Sequence, residues 1–189
     1  MVEPGMSNAS KAILVYDAVE PGLLGKSWST GAALFRGSFD EVVAAKSVDD
    51  LYAVLRRHPK SSLRHVQVWG HGASGAPLIN KQPILPTNPS WDAVEGGTVW
   101  FRACSVMSGF DGGVFAEAFA HRRIDVAGHL GVIGTWAMQS YLVGLLHEEK
   151  TAWWPASVKA GDSAPWKPRT VSALTMRLPE WAFNPTLLK

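Results

Sequence analysis

Apolar residues in this chain fall into short runs of strand length, separated by turn-rich or helix-periodic stretches. Ala12 to Tyr16 is a continuous apolar run between Lys11 and Asp17, the pattern of a strand buried on both faces of a parallel sheet. Glu41 to Ala45, Arg64 to Trp69 and Thr98 to Ala103 repeat that pattern. A fifth strand is expected over Asp125 to Ala127 and Leu130 to Gly134, bent near Gly128, and an edge strand over Val171 to Leu178. Between the runs the period changes. Ser47 and Asp50 have the spacing of a capping box, and Val48, Leu51, Tyr52, Val54 and Leu55 then recur at helical intervals until Pro59. A second helix is expected from Asp111 to Arg122, with Val114, Phe115, Ala118 and Phe119 on its packed face, and a third from Ala137 to Glu149.

Other stretches carry weaker signals. Leu23 to Phe35 mixes Gly, Ser and Trp too freely for a regular helix and reads as loop or ragged helix. The prolines at 77, 83, 86 and 89 exclude a long helix after Gly72, leaving room for a short hairpin over Pro77 to Ile84 and one or two helical turns over Trp91 to Glu95. Strands alternating with helices predict an α/β fold: a three-layer αβα sandwich around a mainly parallel sheet. Residues 1–150 form that domain. The Trp- and Pro-rich extension 151–189 lacks periodicity, but four of the nine tryptophans lie in it, so it is expected to pack on the same domain.

Composition narrows the class. With 189 residues, 47% hydrophobic and 18% charged, the chain can bury a sizeable core. A net charge of +2 with scattered Lys and Arg gives no basic face for nucleic acid. No window approaches the roughly 20 apolar residues of a membrane span, and the N-terminus lacks a leader pattern, so a cytoplasmic protein without a membrane partner is expected. A single cysteine, Cys104, cannot form an internal disulfide and is a free thiol.

Two apolar runs end in residues capable of chemistry: Val-Gln-Val-Trp-Gly-His71-Gly72 and Val-Trp-Phe-Arg-Ala-Cys104. Reactive groups in parallel α/β sheets gather beyond the C-terminal strand ends, and the 33 residues from His71 to Cys104 fit one crossover between neighbouring strands. A thiol is mostly protonated at neutral pH, so an adjacent imidazole base makes chemical sense. The amides of Gly72 and Cys104 are candidates to receive a developing oxyanion.

These paired motifs resemble the caspase-like cysteine peptidases, over roughly Ala12 to Gly134. The resemblance implies the caspase-like version of the sandwich, with Cys104 as nucleophile, His71 as general base or acid and Gly72 as oxyanion donor. No cofactor or metal is implied; the partner is a peptide or protein substrate. Asp17, at the tip of the first strand, occupies the place of an acidic residue that lines the substrate pocket in several members, which implies cleavage after Arg or Lys. The chain departs from caspases in reading Arg102-Ala103-Cys104-Ser105-Val106, so specificity for Asp does not carry over.

Three decoys are weaker. Gly70, Gly72 and Gly75 satisfy G-x-G-x-x-G, but a dinucleotide site needs a helix at the glycines. The surroundings of Ser74 lack the final glycine of a nucleophile elbow. The six histidines show no zinc spacing; His129, near a glycine pair at a strand bend, is the one candidate for an additional site residue, with a structural role the favoured reading. The rival to an enzyme is a non-catalytic caspase-like module that binds a protein partner through the strand-end cleft.

Overall fold

Each apolar run becomes a strand because its alternate residues find cover on opposite sides. A computed structural model describes residues 11–133, 140–152, 154, 170–171 and 176–183. In chain order the elements are β1 (Lys11–Asp17), α1 (Gly22–Leu34), β2 (Glu41–Ala45), α2 (Val48–Arg56), β3 (Leu63–Trp69), β4 (His71–Ala73), β5 (Ala76–Ile79) and β6 (Gln82–Pro83). After a 3-10 segment, Pro89–Val94, come β7 (Thr98–Arg102), α3 (Gly109–Ala120), β8 (Asp125–His129), β9 (Ser140–Leu145) and β10 (Thr170–Val171). The main sheet runs β10-β9-β8-β7-β3-β1-β2. From β2 to β8 all neighbours are parallel, whereas β9 and β10 join antiparallel. Strands β4, β5 and β6 form a small antiparallel sheet.

On one face of the main sheet Ile13, Val15, Val66, Val68, Val99, Phe101 and Val126 meet Leu51 and Leu55 of α2, Trp91, and Phe115 and Phe119 of α3. On the other, Leu14 and Trp69 pack with Trp28 and Ala32 of α1 and with Met176. Trp100, Ala127 and Leu142 pack there with Ala182, Leu178, Trp181 and Phe183. Helices therefore lie on both faces, with the C-terminal segment completing one of them, an arrangement compatible with three layers. Among the described residues no helix is long and apolar enough to cross a membrane.

The Ser47 capping box closes with both arms: Asp50 N–H donates to Ser47 Oγ at 3.3 Å, and Ser47 N–H donates to Asp50 Oδ2 at 3.1 Å. The short hairpin forms as β5 and β6. Five expectations change. The stretch 22–34 is a continuous helix of 13 residues, whose buried positions are Gly31 and Ala32, with Ala32 packed against Leu14 of β1. Of the helix expected over Ala137 to Glu149, 137–139 lie outside the described residues, Ser140–Leu145 are strand β9, whose Leu142–Leu145 pair with β8, and 146–149 are loop and turn. The fifth strand runs unbroken through Gly128 to His129, and Leu130 to Ile133 turn away from it. Val114 is exposed rather than packed, the buried face of α3 being Gly112, Phe115, Ala116, Phe119 and Ala120. Of the edge strand expected over 171–178, Val171 pairs with β9, Met176 to Leu178 are not strand, and 172–175 lie outside the described residues.

Candidate active site

Strands β3 and β7 are direct parallel neighbours, with Trp69 opposite Arg102 as the last pair in register. His71 and Cys104 each stand two residues beyond that pair, at the C-terminal edge of the sheet. Three loops are laced together there. Gly75 N–H donates to Val106 O at 2.9 Å, Ser105 N–H to Gly131 O at 2.9 Å, and Met107 N–H to His129 O at 3.1 Å. Ser74 Oγ donates to Ser108 O. Gly72 permits the close approach: a Cβ there would meet Cys104 O at 2.6 Å, Val106 Cγ2 at 2.7 Å and Ala103 Cβ at 2.9 Å. Gly72 thus brings the β4 backbone against the Cys104 loop. Since the chain continues from β4 by a turn into β5, no helix starts at these glycines, and a dinucleotide fingerprint has nothing to place at a pyrophosphate.

Cys104 is a partly exposed free thiol. Ile133 N–H donates to its Sγ at 3.3 Å, anchoring the sulfur to the loop after β8. It opens on a shallow hollow of about 450 Å³ walled by Gly72, Ala73 and Ser74 of the β4 segment, by Ser105, Ser108 and Gly109, and by Val132. Ser108 and Gly109 begin α3, so the positive end of that helix dipole forms one side of the hollow. Ser105, immediately after the cysteine, has φ +55°, a left-handed conformation that costs a non-glycine residue about 1 kcal/mol or more. Its amide bond to Gly131 and the Ser108 Oγ to Ser105 O bond of 2.7 Å hold it there.

His71 is oriented by a different element. Its Nε2 lies 2.8 Å from Glu20 Oε2, and Trp28 of α1 meets the imidazole edge-on at a centroid distance of 5.2 Å. Both partners of the ion pair are part-exposed, at 38% for the His71 side chain and 23% for Glu20. The imidazole is not on the wall of the Cys104 hollow, and among the described residues no hydrogen bond joins it to the thiol. The sheet therefore brings the two residues to one edge and packs their backbones together, while their side chains keep separate partners. Glu20 and Trp28 were invisible as site residues in the sequence, where Glu20-Pro21-Gly22 reads only as a turn.

Asp17 is 1% exposed, and its carboxylate is engaged by the chain itself: Val19 N–H donates to Oδ1 at 2.9 Å and Asn80 N–H to Oδ2 at 2.7 Å. It ties the tip of β1 to the β5–β6 turn and presents no open carboxylate to a basic side chain.

Behind the edge, the reverse face of the central strands carries a buried polar and aromatic layer. The Arg102 guanidinium lies over the rings of Trp69 and Trp100, 5.0 and 4.7 Å from their centroids, and burial lowers its pKa to about 10. Trp69 Nε1–H donates to Gln67 Oε1 at 3.1 Å, and Gln67 Nε2–H to Met176 O at 2.7 Å. Trp100 Nε1–H donates to His129 Nε2 at 3.3 Å, and burial, with Arg102 nearby, lowers the His129 pKa to about 3. His129 is thus a neutral structural acceptor. Among the described residues no group of three His, Cys, Asp or Glu could hold a metal ion.

No family model matches this chain, and no curated protein or solved structure is significantly similar to it.

Proposed function

We propose that the chain is a caspase-like cysteine peptidase in which Cys104 attacks a peptide carbonyl and His71 moves the protons. The observation that carries the reading is the β3–β7 register, which puts a histidine and the protein's one thiol at equivalent positions beyond adjacent strand ends. The surroundings agree with acyl transfer. The thiol is accessible, a helix start stands beside it, and the residue after it is held in a strained conformation of the kind that accumulates at functional sites. In this reaction the thiol proton passes to His71, sulfur bonds to the carbonyl carbon, and the imidazolium then protonates the departing amine. Water releases the acyl group in a second half-reaction. The separation of imidazole and thiol in the resting arrangement is closed on substrate binding by rotation of the two side chains, since catalytic hydrogen bonds in ligand-free sites are commonly long. Because Asp17 offers no open carboxylate, specificity for a basic residue has no support from it.

The second reading, a non-catalytic module that binds a protein partner in the same hollow, is favoured by one observation: the imidazole lies against Glu20 and not against the thiol. One experiment separates the two. The full chain is treated with peptidyl thiol-reactive ketones ending in basic, acidic or apolar residues, and labelling of Cys104 is followed by mass spectrometry. The peptidase reading expects one class to label Cys104 far faster than it labels glutathione, with the advantage lost in His71→Ala. Equal rates across all probes and both proteins would leave the binding module standing.

A further inference from the structure

We propose that the open edge of strand β2 is a dimer interface, at which a second copy of the chain adds its own β2, antiparallel and about a two-fold axis through Val43. The interface does not depend on the chemistry at Cys104. The main sheet ends at β2, and among the described residues no strand lies beyond it. Which backbone groups face outward follows from the pairing with β1. Ala18 N–H donates to Ala45 O at 2.8 Å, so Ala45 turns towards β1. Lys11 N–H donates to Ser62 O at 3.2 Å, so the odd-numbered residues of β1 serve β3 and the even-numbered ones serve β2. Backbone groups alternate in direction along a strand. Val43 therefore turns inward with Ala45, while Val42 and Ala44 hold their N–H and C=O groups out to the open side. Natural edge strands are commonly guarded by a Lys, a Pro or a bulge. Val42 to Ala45 offer none of these.

The occupant is a second copy because the strand is complementary to itself. In an antiparallel pair centred on Val43, Val42 of each copy lies opposite Ala44 of the other, and the two residues exchange both backbone bonds. Sliding one copy by a single residue would set outward groups against inward ones. Centring on Val42 would bring Ala44 to Asp40, whose N–H is already given to Ala12 O at 2.8 Å. Centring on Ala44 would bring Val42 to Lys46, whose N–H is given to Asp50 Oδ2 at 2.8 Å. Only the register on Val43 engages both outward residues of each copy. That register also lays the acidic end of one strand, at Asp40, beside the basic end of the other, at Lys46, and both residues are exposed. On the face covered by α2, Val43 meets its own counterpart across the axis. A shallow groove of about 480 Å³ runs beside it, with Val43, Ala53 and Val54 in its wall and Arg57 at its rim. The grooves of the two copies join over the axis and add apolar contact to the strand pairing. A two-fold contact of this kind closes at two copies.

The test uses the full chain and the variants Ala44→Pro and Lys46→Glu. Sedimentation equilibrium over a range of concentrations reports the oligomeric state, and amide hydrogen exchange read by NMR reports which backbone groups the contact covers. The wild type is expected to pass from monomer to dimer as concentration rises. Where nine-tenths of it is dimer, the Val42 and Ala44 amides are expected to exchange about tenfold more slowly than in dilute solution, while those of Val43 and Ala45, already bonded to β1, change little. Ala44→Pro removes an N–H that faces water in the single copy, a place where an edge strand accepts proline. It is expected to keep the wild-type circular dichroism and to stay monomeric throughout. Lys46→Glu sets like charges opposite one another and is expected to weaken the dimer about fivefold at low salt. This second variant changes only an exposed side chain, so it tests the register even where Ala44→Pro fails to fold. A wild type that remains monomeric at millimolar concentration overturns the proposal. So does a dimer in which Val42 and Ala44 exchange as fast as in the monomer, or one that Lys46→Glu leaves at full strength.

Discussion

Gly112 and Gly113 are neighbours in α3, and replacing each in turn by alanine is expected to move stability in opposite directions. In a helix interior the change from glycine to alanine gains about 0.8–1.0 kcal/mol by removing backbone freedom from the unfolded chain. At Gly113 the new methyl finds only Ala152 Cβ, at 3.5 Å, an ordinary contact. The propensity gain survives there. At Gly112 the methyl would collide with the carbonyl carbon of Met107 and lie 2.6 Å from its oxygen and 2.8 Å from its Cα. These are backbone atoms of the loop that carries Cys104, and they cannot turn aside as a side-chain tip would. Overpacking costs about 1–3 kcal/mol, and with rigid neighbours the upper part of that range applies. After subtracting the propensity gain, Gly112→Ala is expected to lose about 1–2 kcal/mol. At about 2–4 °C per kcal/mol for a domain of this size, Tm should rise by roughly 2–4 °C in Gly113→Ala and fall by roughly 2–8 °C in Gly112→Ala. Urea unfolding followed by far-ultraviolet dichroism, with m unchanged, supplies the free energies. If Gly112→Ala proves as stable as the wild type, the close seat of α3 on the Cys104 loop is wrong.

Two further outcomes follow from other parts of the molecule. His129 has a folded pKa of about 3, against 6.5 when unfolded, so above pH 6.5 it costs nothing and below that the unfolded chain binds the extra proton. Its contribution is lost as pH falls from 6.5 towards 3, about 2 kcal/mol by pH 5, and His65, whose pKa burial and Arg64 lower to about 4, acts in the same direction. The urea midpoint should therefore drop between pH 7.5 and 5, and a flat profile would remove the buried neutral histidine from the account. Ser47→Ala opens one arm of the capping box and should cost about 1 kcal/mol by urea unfolding, while Ser47→Asp should stay within a few tenths; equal stability of all three would mean the cap is idle.

What could be read from the chain beforehand depended on whether the deciding forces were local. The strands β1, β2 and β7 were legible because a buried parallel strand is a largely continuous apolar run, β3 because Val66, Val68 and Trp69 follow Arg64 and His65 at strand length, and α2 because capping box, period and proline agree. Strand β9 was not, since a short apolar run such as Ser140–Leu145 carries no period, and only its neighbour β8 makes it a strand. Helix α1 was obscured by its own glycines, of which Gly25 allows a close approach to the Glu20 backbone. The edge holding His71 and Cys104 was readable from two strand ends. Glu20 was not, because a carboxylate in a turn shows its use only when a distant residue is placed over it. Asp17 stood where a substrate contact was expected, yet it is claimed by the amides of Val19 and Asn80, a pairing across the fold that no spacing reveals.

The bond from Gln67 to the carbonyl of Met176 links residues 109 positions apart, and the same segment roofs Trp69 and, a few residues on, Trp100. A nascent chain therefore completes its parallel sheet well before it can cover that sheet's aromatic side. Until 176–183 emerge and dock, two central tryptophans and a stacked arginine lack the cover that segment supplies. Synthesis halted short of this segment should yield a product with native-like strands and a sticky surface, prone to aggregate. Final folding thus waits for residues 176–183 rather than proceeding outwards from β1.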